Sequence, residues 1–354
     1  MVRYVAITLL VFGLAGCTSL HVSAVKKNPF RDSEGTFYVH NVPFVRQNYF
    51  YCGPASLESV LKFWGNDISQ EEIGKRVYFG KTKGTFNFEM DAFCREEGFF
   101  TKSYCGTAED IAWYIQKGIP VVVLQKRGGL LSDYHYMVLI GINKAENFII
   151  AHDGFKSNAI LPMNVFAKNW KHCNNWMLVI APPEKVDWIK EADDYNRLGI
   201  LFEEKGNPVQ ARDNYHKAIA LKGSRTVYYF NLANAYLKER EFACAIAYYK
   251  KAIELSPEFA DCYNNLAYAL AEGELSYEEA RVYALKALEL GPDKKCWYMD
   301  TLGMVHLKTG NFTEATRNFE DAIKQGGFIQ KEDADTVYKH LIESYVMAGL
   351  NDRS

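Results

Sequence analysis

The chain has 354 residues, of which 48% are apolar and 24% are charged. This length is sufficient for two domains with separate hydrophobic cores, and the composition is that of a folded globular protein. The formal net charge of -2 excludes the basic surface expected of a nucleic-acid-binding protein, so no nucleic-acid partner is predicted.

The beginning of the chain has the pattern of a targeting segment. Arg3 precedes an apolar stretch at residues 5–14, which is too short to cross a bilayer of about 30 Å. The motif Leu14-Ala15-Gly16-Cys17 follows it and resembles the lipobox of bacterial lipoproteins. The resemblance implies a signal peptide at residues 1–16 and a lipid on Cys17. An ordinary secretory signal is the alternative.

Residues 17–36 are polar and are predicted to form a tether between the lipidated Cys17 and the first domain. Thr18 stands where lipoprotein-sorting rules place an Asp in proteins retained at the inner membrane. The same resemblance therefore implies an outer-membrane location facing the periplasm in a Gram-negative host. Contact with the membrane is expected through the lipid anchor alone.

The remaining cysteines give no metal signature. In an oxidising compartment Cys94 and Cys105 are the plausible local disulfide, and the alternative is that these cysteines are small buried apolar residues. The sequence contains no CxxC motif and no Cys/His spacing of the zinc type. Neither a metal nor a cofactor is therefore predicted.

Residues 37–183 alternate between helix and strand patterns and are predicted to form an α+β domain. A capping box at Ser69 and Glu72 predicts the start of one short helix. The Pro182-Pro183 pair then breaks the pattern. The other predicted elements are helices at 54–64 and 107–117 and strands at 121–124, 134–142, 148–152 and 176–180, the last of which would close the sheet.

Residues 190–350 contain an internal repeat. Leu198-Gly199, Leu232-Ala233, Leu266-Ala267 and Leu302-Gly303 recur at intervals of 34, 34 and 36 residues. This recurrence resembles the tetratricopeptide repeat and predicts an all-α solenoid of about four units with a capping helix at 337–350. Small residues are expected to let the two helices of a unit approach, and aromatic residues to fill the gap to the next unit. The resemblance implies a groove that binds a peptide or partner protein, although a rigid spacer is also possible.

The stretch from Gln47 to Leu57 carries the strongest chemical signal. Cys52 directly precedes Gly53-Pro54 and an amphipathic helix, which places its sulfur at a helix N-terminus. Unpaired N–H groups and the positive end of the helix dipole favour the thiolate there. Gln47 lies five residues upstream, from where its amide could donate a hydrogen bond to an oxyanion.

A thiolate nucleophile needs an imidazole and a group that orients the imidazole. His135 lies on the first strand of a predicted hairpin, and Asp153 lies at the end of the second strand. Reflection about a turn centred on residue 144 predicts that His135 and Asp153 are cross-strand neighbours. His152 is a weaker candidate base, because it alternates to the opposite face. The Asp153-Gly154 pair also fits a simple turn.

Together, Gln47, Cys52-Gly53-Pro54-Ala55, His135-Tyr136-Met137-Val138-Leu139 and Asp153 resemble the double-glycine leader peptidase family, whose members have the papain-like fold. The resemblance covers residues 38–181. It implies that Gln47 is the oxyanion donor, Cys52 the nucleophile, His135 the general base and acid, and Asp153 the orienting residue. The chain lacks the transporter segments of the best-known members.

The expected function is therefore cleavage of a peptide or isopeptide bond in an extracytoplasmic protein by a Cys-His-Asp mechanism. Two alternatives stand beside it. One is a non-enzymatic assembly lipoprotein that uses the peptidase-like domain and the repeats to bind proteins. The other is a transpeptidase resembling phytochelatin synthases, although the chain has no Cys-rich tail of the kind that those enzymes carry.

Overall fold

The computed structural model describes residues 35–80, 84–128, 133–326 and 331–351. The predicted signal segment, the lipidation residue Cys17 and most of the tether lie outside the described residues. No described helix is both long enough and apolar enough to cross a membrane.

The first region combines a main antiparallel sheet and a separate two-stranded sheet with helices, in agreement with the predicted α+β domain. Its strands and helices, in chain order, are β1 (Thr36–Tyr38), α1 (Cys52–Phe63), α2 (Gln70–Val77), β2 (Tyr78–Phe79), β3 (Gly84–Thr85), α3 (Asn87–Glu96), β4 (Phe100–Cys105), α4 (Ala108–Gln116), β5 (Val121–Arg127), β6 (Asp133–Asn143), β7 (Phe148–His152), β8 (Ala159–Pro162), α5 (Met163–Lys171) and β9 (Trp176–Ala181).

The main sheet has the strand order β4-β9-β5-β6-β7-β8, and β1 pairs with β6. The strand predicted to close the sheet, β9, instead lies inside it, because β4 covers its outer edge through six residue pairs from Phe100↔Ala181 to Cys105↔Trp176. Strand β4 and helices α3 and α5 were not predicted. The predicted capping box of α2 is confirmed, since Ser69 Oγ accepts from the Glu72 N–H.

The second region is entirely helical. Its α-helices are α6 (Ala192–Glu204), α7 (Pro208–Leu221), α8 (Thr226–Lys238), α9 (Phe242–Leu255), α10 (Ala260–Glu272), α11 (Tyr277–Leu290), α12 (Lys295–Lys308), α13 (Phe312–Gln325) and α14 (Lys331–Asn351). Helices α6 to α13 form four successive pairs, and α14 packs on α13 at the end.

Glycines explain the close approach of the two helices within a unit. A Cβ on Gly199 would lie 2.5 Å from the Tyr215 ring, and one on Gly303 would lie 2.6 Å from the Phe319 ring. The repeated aromatic residues therefore fill the inside of their own unit, which corrects the prediction that they fill the gap to the next. A different tyrosine joins neighbouring units: Tyr228 of α8 donates to the Asp193 carboxylate of α6.

The two regions share one hydrophobic core. Trp188 and Ile189, which follow the sheet, and Leu198 and Phe202 of α6 belong to the same buried cluster as the strands. Polar contacts reinforce this junction, because Lys102 of β4 donates to Asp194 at 2.6 Å and to Glu191 at 2.9 Å. The first repeat is therefore attached directly to the α+β domain.

None of the seven cysteines in the described part of the chain forms a disulfide. Cys94 is fully buried in α3, where burial raises its pKa well above the ordinary value, whereas Cys105 is exposed at the end of β4. The disulfide between them, which the sequence left open, is not formed. The interpretation of Cys94 as a small buried apolar residue agrees with its position.

Candidate active site

A cleft of about 950 Å³ opens between the start of α1, the β2–β3 hairpin and the end of the β5–β6 ladder. Cys52, His135 and Gln47 all line it, so three of the four residues predicted to act together reach one cavity. The other described lining residues are Asn48, Tyr49, Phe50, Gly84, Thr85, Phe86, Asn87, Phe88, Leu124, Arg127, Asp133, Tyr134, Tyr136 and Phe155.

Cys52 is the first residue of α1, so the helix starts at the cysteine itself, two residues before the predicted start. The first four N–H groups of a helix have no partner within it, and the N-cap residue Tyr51 supplies no side-chain acceptor. Gly53 lets the hairpin come close, because a Cβ there would lie 3.0 Å from Thr85. The sulfur therefore lies where main-chain donors meet the cleft.

The protonation of Cys52 is set by opposing effects. Burial raises the pKa of the thiol, whereas the main-chain N–H groups of Tyr136 and Gly53 and the charge of Arg127 lower it. Burial prevails, and the pKa lies above the ordinary value. The helix N-terminus favours the thiolate, as predicted, but desolvation by the surrounding sheet and hairpin, which that local argument did not include, outweighs it.

His135 lies on β6 with only 2% of its surface exposed. Its Nε2 is 2.6 Å from the main-chain oxygen of Asp153. A carbonyl oxygen can only accept, so Nε2 carries the proton and Nδ1 keeps a lone pair that can take one. Burial and, to a smaller extent, the Arg127 charge lower the pKa of His135 to about 4. The imidazole is therefore neutral at pH 7 and able to act as a base.

The contact between His135 and Asp153 differs from the predicted one. The Asp153 carboxylate accepts from the N–H groups of Phe155 at 2.9 Å and Lys156 at 2.6 Å, and its main-chain carbonyl faces the imidazole. The alternative interpretation of Asp153-Gly154 as a turn thus agrees with the structure. Asp153 contacts the histidine, but the carboxylate is not the contacting group.

The predicted hairpin register is also wrong. Val138 pairs with His152, the last residue of β7, so His135 lies beyond the end of this ladder. The cause is the position of the turn at residues 144–147, which is centred after residue 144 because Asn143 pairs with Phe148; the register shift between Leu139 and Gly141 offsets this by one residue. The ring of Phe155, rather than the Asp153 side chain, therefore stacks on His135, with centroids 5.9 Å apart.

Gln47 is held against the same turn. Its main-chain N–H donates to the Gly154 oxygen at 2.9 Å, and a Cβ on Gly154 would lie 2.2 Å from Gln47 Oε1. Gly154 has a φ of +80°, a conformation that favours glycine. Among the described residues, Gln47 Oε1 is buried without a hydrogen-bond partner. A buried carbonyl oxygen without a partner in a cleft can accept a hydrogen bond from a ligand, whereas the predicted oxyanion donor is the NH2 group of the same amide.

His152, the weaker candidate base, has a structural role. Its Nε2 lies 2.9 Å from the Val42 oxygen, its Nδ1 accepts from the Asn158 N–H at 3.2 Å, and its ring contacts Phe44 edge to face. Both ring nitrogens are occupied, so His152 holds the segment before α1 against β7. Because His152 does not line the cleft, His135 remains the base candidate.

Several cleft residues were missed in the sequence analysis. Arg127 and Asp133 pair across β5 and β6 and bring the two formal charges of the described cleft lining beside His135. Tyr49, Phe88 and Phe155 present exposed rings to the cleft. The sequence did show that Asp133 lies two residues before His135, on the same strand and therefore on the same face. That Arg127 pairs with Asp133 depends on the register between β5 and β6, which only the folded sheet reveals.

Comparison with protein families agrees with this architecture. Residues 39–176 match the Peptidase_C39 like family. Residues 227–259, 248–281 and 296–324 match models of the tetratricopeptide repeat. The chain thus carries a Peptidase_C39-like domain followed by tetratricopeptide repeats. The predicted fold class, an α+β domain with an antiparallel sheet followed by an all-α solenoid, is confirmed.

Similar individual proteins resemble part of the chain. The photosystem I assembly protein Ycf3 of Cyanophora paradoxa is 25% identical over 146 residues, which are 37% of this chain and 83% of Ycf3. Ycf3 of Rippkaea orientalis is 28% identical over 130 residues, covering 36% of this chain and 72% of that protein. Among solved structures, MamA is 22% identical with a TM-score of 0.35 and covers 38% of this chain and 77% of its own. YrrB, described as a tetratricopeptide-repeat protein with an unusual peptide-binding site, is 21% identical with a TM-score of 0.37, covering 45% and 78%.

Proposed function

We propose that the chain is a cysteine peptidase that hydrolyses a peptide or isopeptide bond, with Cys52 as nucleophile and His135 as general base and acid. The observation that carries the proposal is the pair itself. Cys52 at the start of α1 and His135, with Nδ1 free to take a proton, line one cleft. The match of residues 39–176 to the Peptidase_C39 like family supports the same assignment.

The chemistry starts from the neutral pair. The Cys52 sulfur attacks the carbonyl carbon while its proton passes to His135 Nδ1, and the carbonyl oxygen becomes an oxyanion. The Cys52 N–H and the Gln47 amide are the donors assigned to that oxyanion. His135 then gives the proton to the leaving amine, and the C–N bond breaks. Water hydrolyses the thioester and restores the thiol.

Asp153 is assigned a positioning role. Its carbonyl fixes the imidazole tautomer, and its carboxylate holds the turn that carries the carbonyl. This arrangement replaces the charged partner of a Cys-His-Asp triad by a neutral acceptor. It stabilises an imidazolium less than a carboxylate would, which agrees with a resting site in the thiol–imidazole form.

The test is cleavage of an unbiased peptide library by the full-length chain, read by mass spectrometry. Cys52→Ala and His135→Ala should abolish cleavage, whereas Cys173→Ala and His172→Ala, which change the same residue types outside the cleft, should not. Since the pKa of His135 is about 4, the rate should fall as pH drops through that value, where the base is protonated. Cleavage that survives in the Cys52 variant would rule out this nucleophile.

A second function is favoured by the electrostatics of the same cleft. Burial keeps Cys52 protonated, and the Asp153 carboxylate accepts from main-chain N–H groups and does not contact His135. Both features would suit a domain that binds a peptide without cutting it. The Ycf3 relatives are named as assembly proteins. A chain that binds library peptides but leaves them intact would support this assembly role.

We further propose that the repeats bind the substrate or a partner protein and that the chain is lipid-anchored through Cys17 to a bacterial cell envelope, facing the periplasm of a Gram-negative host. The repeat matches support the first part, and the Leu14-Ala15-Gly16-Cys17 motif supports the second. Metabolic labelling with an alkynyl fatty acid tests the anchor. The label should be lost in Cys17→Ser and kept in Cys105→Ser. Labelling of both variants, or of neither, would contradict the lipid anchor at Cys17.

A further inference from the structure

Arg127 lines the cleft together with the reacting pair, Cys52 and His135. It is the last residue of β5 and pairs with Asp133, just as Gln125 pairs with His135 two residues earlier. Because alternate residues of a strand share a face, Arg127, Asp133 and His135 point to one side of the sheet. The charge of Arg127 acts on Cys52 and His135 alike.

Within the described part of the chain, the hydrogen bonds of Arg127 leave most of its N–H donors free for a ligand. Its Nη2 donates to Asp133 at 3.3 Å, and the Asp133 side chain is 61% exposed. An exposed pair of this kind contributes little to stability. A guanidinium has five N–H donors in a fixed fork, whereas Asp133 accepts from one nitrogen. An incoming carboxylate can therefore bind beside Asp133 or displace it.

Phe155 links Arg127 to the catalytic histidine. Its ring lies 5.9 Å from the guanidinium carbon on one side and stacks on the imidazole, at an angle of 12°, on the other. The general acid protonates the leaving amine, so the substrate segment that follows the scissile bond passes His135 and Phe155. Among the other described lining residues, Asp133 carries a carboxylate and none carries a fixed positive charge, so Arg127 is the cation that this segment meets.

We propose that Arg127 binds a substrate carboxylate immediately after the scissile bond, so that the cleft selects peptides with an acidic residue or a chain terminus at that position. This inference rests on the proposed peptidase function and names its specificity. An acidic side chain and a chain terminus both present a carboxylate, and Arg binds a carboxylate through two parallel N–H···O bonds.

The test compares two small alkylating probes on the full-length chain. Iodoacetate and iodoacetamide both form an S–C bond at Cys52 and release iodide, and they differ only in carrying a carboxylate or an amide. The rate of alkylation by iodoacetate divided by that by iodoacetamide should fall at least about tenfold in Arg127→Gln, since a charge-assisted hydrogen bond to the carboxylate is lost. Asp133→Asn, which removes the competing carboxylate, should raise it.

Lys126→Gln is the matched control, because it removes the same charge from the neighbouring residue on the opposite face. Its ratio should stay close to the parent value. Arg127→Lys keeps the charge without the fork and should give an intermediate ratio, which also guards against a misfolded Gln variant. A ratio that is unchanged in Arg127→Gln would overturn the inference while Cys52 remained reactive. A Cys52 that reacts with neither probe would instead contradict the peptidase proposal itself.

Protection of Cys52 from iodoacetamide separates the two carboxylate sources. Glycine presents a terminal carboxylate next to its amine, aspartic acid α-amide presents a side-chain carboxylate, and glycinamide presents neither. At least one of the first two should protect better than glycinamide, and only when Arg127 is present. The better protector identifies the source. Equal protection by all three, with or without Arg127, would contradict a carboxylate site.

Discussion

The two regions of the chain use their aromatic residues in opposite ways. In the repeats, Tyr215, Tyr249 and Phe319 occupy equivalent positions and have no exposed surface. Around the cleft of the α+β domain, the exposed fractions are 84% for Tyr49 and 64% for Phe88. A large apolar side chain that stays in water contributes little to folding, and a group of such rings around one cleft indicates a ligand-binding surface.

This contrast separates stability from function along one chain. Each repeat keeps its aromatic side chain in the interior of the solenoid, and a side chain buried there cannot also reach a ligand. The α+β domain obtains its stability from the sheet and can leave rings exposed at one end of it. Substitutions in the two sets of aromatic residues should therefore affect different measurements, and the following experiments test that separation.

The largest effect is expected from Tyr249→Ala in the second repeat. The ring is fully buried, and its hydroxyl donates to Asn234. Removing a buried aromatic ring costs about 3–5 kcal/mol, so the free energy of unfolding measured in urea should fall by that amount. Phe88→Ala in the cleft should change it by less than about 0.5 kcal/mol.

Tyr268→Ala is the control within the repeats, because this tyrosine is 36% exposed. It should resemble Phe88→Ala in stability but leave peptide cleavage unchanged, whereas Phe88→Ala should weaken cleavage. A loss of several kcal/mol in the Phe88 variant would break the contrast, since the cleft rings would then be part of the core.

Gly154→Ala should damage the cleft with a smaller effect on folding. The added Cβ would lie 2.2 Å from Gln47 Oε1, so the amide proposed to bind the oxyanion has to move. Loss of one oxyanion donor lowers kcat by about 10²–10³, which is the expected loss of cleavage. Unfolding in urea should change by about 1 kcal/mol, the cost of a φ of +80° for a residue with a side chain.

Gly118→Ala provides the comparison for backbone strain alone. Gly118 has a φ of +75°, and a Cβ there would meet nothing within 4 Å. A similar loss of stability with full cleavage activity in this variant would assign the Gly154 effect to Gln47. Equal losses of activity in both variants would show that strain, rather than the donor, is responsible.

The sequence was sufficient where a feature is local. The repeats were predicted because each unit packs against its neighbour, so the spacing of Leu232 and Leu266 already encodes the contact. The position of Cys52 at a helix start follows from Cys52-Gly53-Pro54, and His135 was found by its strand pattern. Both the solenoid and the two central cleft residues could therefore be predicted without the structure.

The parts that were missed depend on distant segments. The Arg127–Asp133 pair and the stacking of Phe155 on His135 depend on the register of β5, β6 and the turn after β7, and a register error of two or three residues changes which side chains meet. The pKa of Cys52 is raised by burial under segments far along the chain, and no local motif reports this. The charge environment of the site is therefore a property of the fold.

The two regions also shift the pKa of one histidine each in opposite directions, which predicts a smaller effect of pH on stability. In the cleft, burial lowers the pKa of His135, whereas in the repeats the Asp300 carboxylate, 2.8 Å away, raises the pKa of His340. A histidine whose pKa is higher in the folded state than the unfolded value of about 6.5 stabilises the folded state most at pH values below about 6.5. The stabilisation is lost as pH rises through the folded pKa.

Helix α14 should consequently be held more firmly at pH 6 than at pH 9, by about 1 kcal/mol or less because the pair is partly exposed. Hydrogen exchange of α14 measures this directly, after correction for the intrinsic exchange rate at each pH. In His340→Gln the difference between the two pH values should disappear, while the pH dependence of cleavage, which we assign to His135, should be kept. A His340 variant that altered the acid limb of cleavage would show that the repeats and the cleft titrate together, and the separation of stability from function would then fail at this residue.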